Sequence, residues 1–310
     1  MPKNIASNDY IAAIIDKHNR LNNINGPKII FSGGSNLAYG LDSKMLEEEF
    51  AVPVVNLGLH AGLGLNFILT ELKNTVKNGD VVFLSIEYFL DSEGSYGLKK
   101  LCSKYYNEAF KYYNFNLIEE ISYEIYKTRN NIKSYEKDQK SSDMKFKKST
   151  NNLKREIQIY SREAFNSHGD IIAHLDLKLP IFANVNKGPA DDNVWPYRIW
   201  NGVNELNEFF DFAKSKNVKV YFLYPVLRAT EFNRNQAALL KLSGDISNNL
   251  NMEILNKPID LVFNDSLFFD SPYHLNRKGR ELRTKRVIEF IKKNPNSNQR
   301  LISMRVKQKI

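Results

Sequence analysis

Lys28-Ile29-Ile30-Phe31-Ser32-Gly33-Gly34-Ser35-Asn36 is the stretch whose reading decides the fold. Lys28 to Phe31 is mostly β-branched or aromatic and apolar on both faces, the mark of a strand covered on both sides in a parallel sheet. The two glycines then allow a tight strand-to-helix turn that lifts the Ser35 hydroxyl to the sheet edge, with the Ser35 N–H facing the same space. The alternative is that Ser35 merely caps the helix that follows. Gly33 to Gly40 fits neither the dinucleotide-binding nor the P-loop glycine spacing, and the second strand ends in Asn56 where a ribose-binding acid would stand, which argues against a nucleotide site.

Outward from this strand, apolar runs and helical periodicities alternate. Further strands are expected at Pro53 to Leu57, Val81 to Ile86, Val218 to Leu223 and Ile259 to Phe263. Helices are expected at Asp9 to Leu21, Ser43 to Phe50, Leu63 to Lys77, Val203 to Lys216, Ala229 to Asn249 and Arg277 to Lys292. This predicts an α/β three-layer sandwich with a central parallel five-stranded sheet and a large, mostly helical insertion. The expected layout is an N-terminal helix in 1–27, an α/β domain in 28–91 and 217–293, an insertion in 92–216 and a basic tail in 294–310. The insertion is expected either to cover the catalytic edge or to be a structural embellishment. Lys137 to Thr150 is polar enough for a loop. Asn193 to Asn201 concentrates Trp195, Trp200 and Arg198, which suits a sugar-binding surface or an anchor for the insertion.

Composition bounds the function. The 310 residues are 42% apolar, enough for a sizeable core. No run of about 18 apolar residues occurs, and Met1-Pro2-Lys3-Asn4 opens a polar stretch without a signal-peptide core, so the chain as written is not expected to span a membrane or export itself. A trimmed chain would read the same, and the compartment stays open. The single cysteine, Cys102, excludes an internal disulfide and a thiolate zinc cluster. Much of the net charge of +9 lies in Lys133 to Arg155 and in Lys292 to Lys309. It reads as a solvated basic surface, with contact to an anionic surface as the alternative, and no nucleic-acid motif accompanies it.

The chemistry-bearing residues fall at opposite ends of the chain. A serine hydroxyl becomes a nucleophile when an imidazole takes its proton and an acceptor fixes the imidazole tautomer. Ser35 follows the first strand, and Phe269-Asp270-Ser271-Pro272-Tyr273-His274-Leu275-Asn276 supplies Asp270 and His274 on one turn. His60 competes for the base role but has no sequence-local carboxylate. The glycine-rich loop Asn56 to Gly64 offers backbone N–H groups to a developing oxyanion. His18, His168 and His174 lack converging partners, so neither a metal nor any other cofactor is expected.

On these motifs the chain resembles the SGNH (GDSL-type) hydrolases, in the divergent branch that includes bacterial polysaccharide O-acyltransferases and teichoic-acid D-alanylation proteins. Gly34-Ser35-Asn36 resembles the first block, Asn56 to Gly64 the second and Phe269 to Asn276 the last. The resemblance covers roughly Lys28 to Asp91 and Val218 to Ile291. It implies a flavodoxin-like sheet, Ser35 as nucleophile, Asp270 and His274 as its partners, and an oxyanion donor at Gly62 or Gly58. It further implies a serine-dependent esterase or O-acyltransferase acting on acylated sugar hydroxyls of a bacterial surface or exopolysaccharide; a non-catalytic glycan-binding or assembly protein on the same fold is the alternative. Two features depart from the family pattern. Asp270 and His274 are separated by three residues rather than two, which leaves Asp265 as a rival acid. Where the third block carries an oxyanion asparagine, this chain has Glu87 and Tyr88, of which Tyr88 could donate and Glu87 could orient another group.

Overall fold

In the computed structural model, which describes residues 8–114, 116–140, 159–177 and 194–307, the first parallel strands are β1 (Ile29–Gly33), β2 (Val54–Asn56) and β3 (Val81–Ser85). β4 (Lys219–Phe222) follows, then a separate short strand β5 (Leu227–Arg228), β6 (Glu253–Ile254) and β7 (Val262–Phe263). The main sheet is five-stranded, in the order β2-β1-β3-β4-β6, and every pairing is parallel. This is the doubly wound order in which the chain reverses direction beside β1, placing a crevice at the carboxyl ends of β1 and β3.

The period of two along each strand sorts its side chains onto opposite faces. Ile30, Val82, Leu84, Val220 and Phe222 join one core. It is covered by α4 (Leu65–Thr75) together with two later helices, Gly202–Ser215 and Gln236–Asn249. Ile29, Phe31, Val81, Phe83 and Tyr221 join the other, covered by α3 (Ser43–Phe50) and by Arg277–Lys293. These layers make the expected α/β sandwich. The N-terminal expectation resolves into a 3-10 turn, Tyr10–Ala12, leading into α1 (Ala13–Asn23), while α2 (Ser35–Gly40) follows β1 directly.

Three elements differ from the sequence reading. The fifth strand of the main sheet is β6, not Ile259 to Phe263. Pro258 opens a 3-10 turn, Pro258–Leu261, closed by Asp260 accepting from Lys257 N at 2.7 Å, so only Val262 and Phe263 stay extended, and they pair with β5. The expected helix Ala229 to Asn249 is split into Ala229–Arg234 and Gln236–Asn249. Asn235 interrupts it, its amide donating to Glu231 O while its Oδ1 accepts from Trp195 N at 2.6 Å. Finally, the segment expected as a basic tail contains the helix Pro295–Lys307, which buries Leu301 and Met304 on the second core.

The insertion begins with α5 (Tyr96–Tyr105) and α6 (Leu117–Lys140). The polar stretch expected as a loop from Lys137 therefore starts inside α6, and its 141–150 portion lies outside the described residues. Residues 159–177 are wedged against the α/β body: Asn56 N donates to His168 O at 2.9 Å and Ile171 N to Ala38 O at 2.8 Å. Asp170, fully buried, accepts from Ser43 Oγ at 2.6 Å, Asn56 Nδ2 at 2.8 Å and Arg280 Nη2 at 3.1 Å, tying this segment to the second strand and to the helix Arg277–Lys293. Three partners of this kind compensate a carboxylate that would be costly to bury alone. Among the described residues no helix is long and apolar enough to cross a membrane.

Candidate active site

Ser35 stands at the first turn of α2, where the helix leaves its N–H without an intrahelical acceptor. Both preceding glycines are required by crowding rather than by a positive φ. A Cβ on Gly33 would overlap the Ser85 carbonyl, and a Cβ on Gly34 would overlap the Glu87 carboxylate. Glu87 lies in the turn after β3 and accepts from Gly34 N at 3.2 Å and Asn36 N at 3.0 Å, so its two oxygens bracket the serine. Those bonds place both carboxylate oxygens at the N-terminal end of α2.

The opposite end of the chain closes on Ser35 through the loop after β7. An antiparallel bridge between Phe268 and Leu275 and the bond from Phe269 N to His274 O at 2.8 Å fold Phe269 to His274 into a tight turn. This turn lets Asp270 and His274 meet despite the longer spacing. His274 Nδ1 lies 2.6 Å from Asp270 Oδ1 and His274 Nε2 lies 2.9 Å from Ser35 Oγ. The geometry assigns the proton to Nδ1 and leaves the Nε2 lone pair for the serine hydroxyl. Asp265, the rival acid, instead accepts from Thr230 N at 3.1 Å and from the Thr230 hydroxyl.

Burial pushes the Asp270 carboxyl up, but the hydrogen bond and charge of His274, followed by a bond from Tyr160, outweigh it and hold the carboxyl below its ordinary value. Tyr160, from the insertion, donates to Asp270 Oδ2. The Tyr39 ring lies flat on the His274 imidazole, with centroids 3.9 Å apart and planes 9° from parallel. Behind it His174, 2% exposed, places Nε2 2.8 Å from Leu275 O and packs against Tyr39 and Phe269. Burial drives His174 down to about 4, so it is neutral at pH 7 and donates from Nε2.

His60 is not within the relay. Its Nδ1 accepts from Gly62 N at 2.9 Å, and burial lowers its basicity, which leaves Nε2 carrying the proton. The same bond occupies Gly62 N–H, and Gly58 N–H is likewise given to Asn56 Oδ1 at 2.9 Å. Both candidate glycine donors therefore already have acceptors, each supplied by a polar side chain two residues upstream that turns back on the loop. Tyr88 is the reverse case. Its buried hydroxyl has no hydrogen-bond partner among the described residues, burial raises its pKa so that it keeps its proton, and it shares a cavity wall with Ser35 and Glu87.

Asn36 is fully buried and structural: its Nδ2 donates to Ser85 O at 2.9 Å, and its Oδ1 accepts from Arg283 Nη2 at 2.7 Å. Arg283 also donates to Asn36 O at 2.5 Å and Ser85 Oγ at 3.1 Å. Burial lowers its guanidinium to about 9, and the Glu87 charge acts in the opposite direction. Asn36 thus links the two, its N–H donating to Glu87 and its Oδ1 accepting from Arg283.

Sequence reasoning brought Ser35, His274, Asp270, Gly34, Asn36, Glu87 and Tyr88 to one place but missed Tyr39, Tyr160, His174 and Arg283. Tyr39 had a signal, since it follows Ser35 by one helical turn and so shares its face. Tyr160 and His174 come from the insertion and had none. Among the described residues no cluster of His, Cys, Asp and Glu could hold a metal ion. Cys102 is buried, and burial raises its thiol well above its ordinary value, unlike a reactive cysteine. No protein-family model matches the chain, and comparison with curated proteins finds no match.

Proposed function

We propose that this chain is an SGNH-type serine acyl-esterase or O-acyltransferase, acting on acylated sugar hydroxyls of a bacterial surface or exopolysaccharide. The observation that carries the chemistry is the relay Asp270–His274–Ser35, with spacings of 2.6 and 2.9 Å. Ser35 Oγ attacks the ester carbonyl as its proton passes to His274 Nε2, and Asp270 stabilises the imidazolium. The ester C–O bond then breaks, the departing alcohol takes that proton, and an acyl-enzyme remains on Ser35. Water or a second hydroxyl reverses the sequence, giving hydrolysis or transfer. The Ser35 N–H and the Tyr88 hydroxyl are the donors offered to the oxyanion. The sugar assignment rests on the resemblance of the motif blocks, and the basic surface suits contact with an anionic polymer.

Two observations favour a non-catalytic glycan-binding or assembly role: both loop glycines have committed their N–H groups, and a carboxylate sits beside the serine. A fluorophosphonate probe separates the two readings. The enzymatic reading expects a Ser35 adduct, located by peptide mass spectrometry, that is lost in His274→Ala. A folded protein that never forms the adduct overturns it and leaves the binding role.

A further inference from the structure

Ser35 lies where two cavities meet. The larger, about 610 Å³, extends past the carboxyl end of β3 and is walled by Ala61, Phe89, Leu90, Trp195, Pro196 and Tyr273. The smaller, about 340 Å³, is lined by Tyr39, His60, Leu98, Leu101 and His274. Both touch Ser35, but His274 lines only the second. This asymmetry matters because the general base must reach the alcohol oxygen that leaves or enters, whereas it need not touch the acyl chain.

The walls agree with that division. The larger cavity is mostly aromatic and aliphatic and falls in the size range of sites for drug-sized ligands. Its shape is enforced. Phe89 holds a left-handed backbone (φ 54°), unusual for a bulky residue, while Arg198 Nη2 donates to Phe89 O at 2.9 Å and the Trp200 indole donates to Leu90 O at 2.8 Å. Trp195 meets the Phe89 ring edge to face at 6.4 Å. The smaller cavity is also largely apolar, through Ile11, Leu98 and Leu101, with Asp9, His60 and Tyr160 adding polar groups beside His274. The proton on His60 Nε2 is not used in its bond to Gly62.

We propose that the larger cavity receives an apolar acyl group bulkier than acetyl and that the smaller one, on the His274 side, receives the alcohol, a compact polyhydroxylated molecule. The assignment rests on Ser35 being the acylated nucleophile. Acyl transfer then places the carbonyl carbon at Ser35 Oγ, the acyl chain beyond Ala61, and the alcohol oxygen against His274 Nε2.

The test measures kcat/KM for 4-nitrophenyl acetate and 4-nitrophenyl octanoate, with the Ser35 acyl-enzyme followed by intact mass. Filling the larger cavity with Ala61→Trp is expected to depress octanoate about tenfold more than acetate. Filling the smaller one with Leu98→Trp is expected to slow both esters by the same factor, because both release 4-nitrophenol. Trp195→Ala, which enlarges the acyl side, is expected to shift preference toward the longer chain and serves if Ala61→Trp does not fold. An octanoate-to-acetate ratio that ignores Ala61→Trp and Trp195→Ala, or that moves in Leu98→Trp, overturns the cavity assignment while leaving the acyl-enzyme intact. If neither ester nor a fluorophosphonate modifies Ser35, the enzymatic reading falls, and the assignment with it.

Discussion

His174 should make this fold acid-sensitive in a way that one substitution removes. In the unfolded chain its imidazole titrates near the ordinary 6.5, whereas in the folded protein burial holds it near 4. Below the unfolded value the unfolded chain therefore binds a proton that the native state refuses, and stability falls as pH drops from about 6.5 toward 4. Between pH 7 and 4.5 this single group costs about 2.5 kcal/mol, a large share of a typical domain's stability. Protonation would also set a charge behind Tyr39, whose other face carries His274. His174→Gln retains an N–H for Leu275 O without the titration. Urea unfolding at pH 7, 5.5 and 4.5 should show a loss in the wild type exceeding that in the variant by about 2.5 kcal/mol. Parallel pH dependences in the two proteins would refute the argument, because the other acidic groups are common to both.

Two further outcomes follow from the site. Gly34→Ala should slow fluorophosphonate labelling of Ser35 by about 30-fold and destabilise the fold by about 2 kcal/mol, because the new methyl meets the Glu87 carboxylate. Combining it with Glu87→Ala should recover part of that loss, and strictly additive effects in the double-mutant cycle would sink the explanation. Tyr160→Phe should reduce the labelling rate only about three- to tenfold, since Tyr160 is 49% exposed and water can replace its bond to Asp270. A loss as complete as that of His274→Ala would show that the tyrosine does more than orient the acid.

The three-layer architecture was legible because short-range rules carry it. Lys28 to Phe31 and Val81 to Ile86 are apolar on both faces, and only a covered sheet satisfies such strands. Legibility failed where a few residues close a local turn: Pro258 and Asp260 convert an apolar run into a 3-10 turn, and β6, only Glu253 and Ile254, is too short to announce itself. In the site, Ser35, Asp270 and His274 were readable because their chemistry is interdependent. The loop glycines were misleading, since sequence shows an N–H without showing that His60 and Asn56 already accept from Gly62 and Gly58.

By itself, then, the sequence determined which residues carry reactive groups and that the strands must lie in a parallel sheet, because hydrophobic period and side-chain chemistry are properties of the chain alone. Tertiary structure decided the rest. The hairpin bridge from Phe268 to Leu275 converts an unfamiliar Asp-to-His spacing into a working hydrogen bond. A segment of the insertion supplies Tyr160 and His174 behind that bond, and the carboxylate of Glu87 reaches the N–H groups on either side of Ser35. Such contacts join residues far apart in the chain, and only packing determines which of them meet.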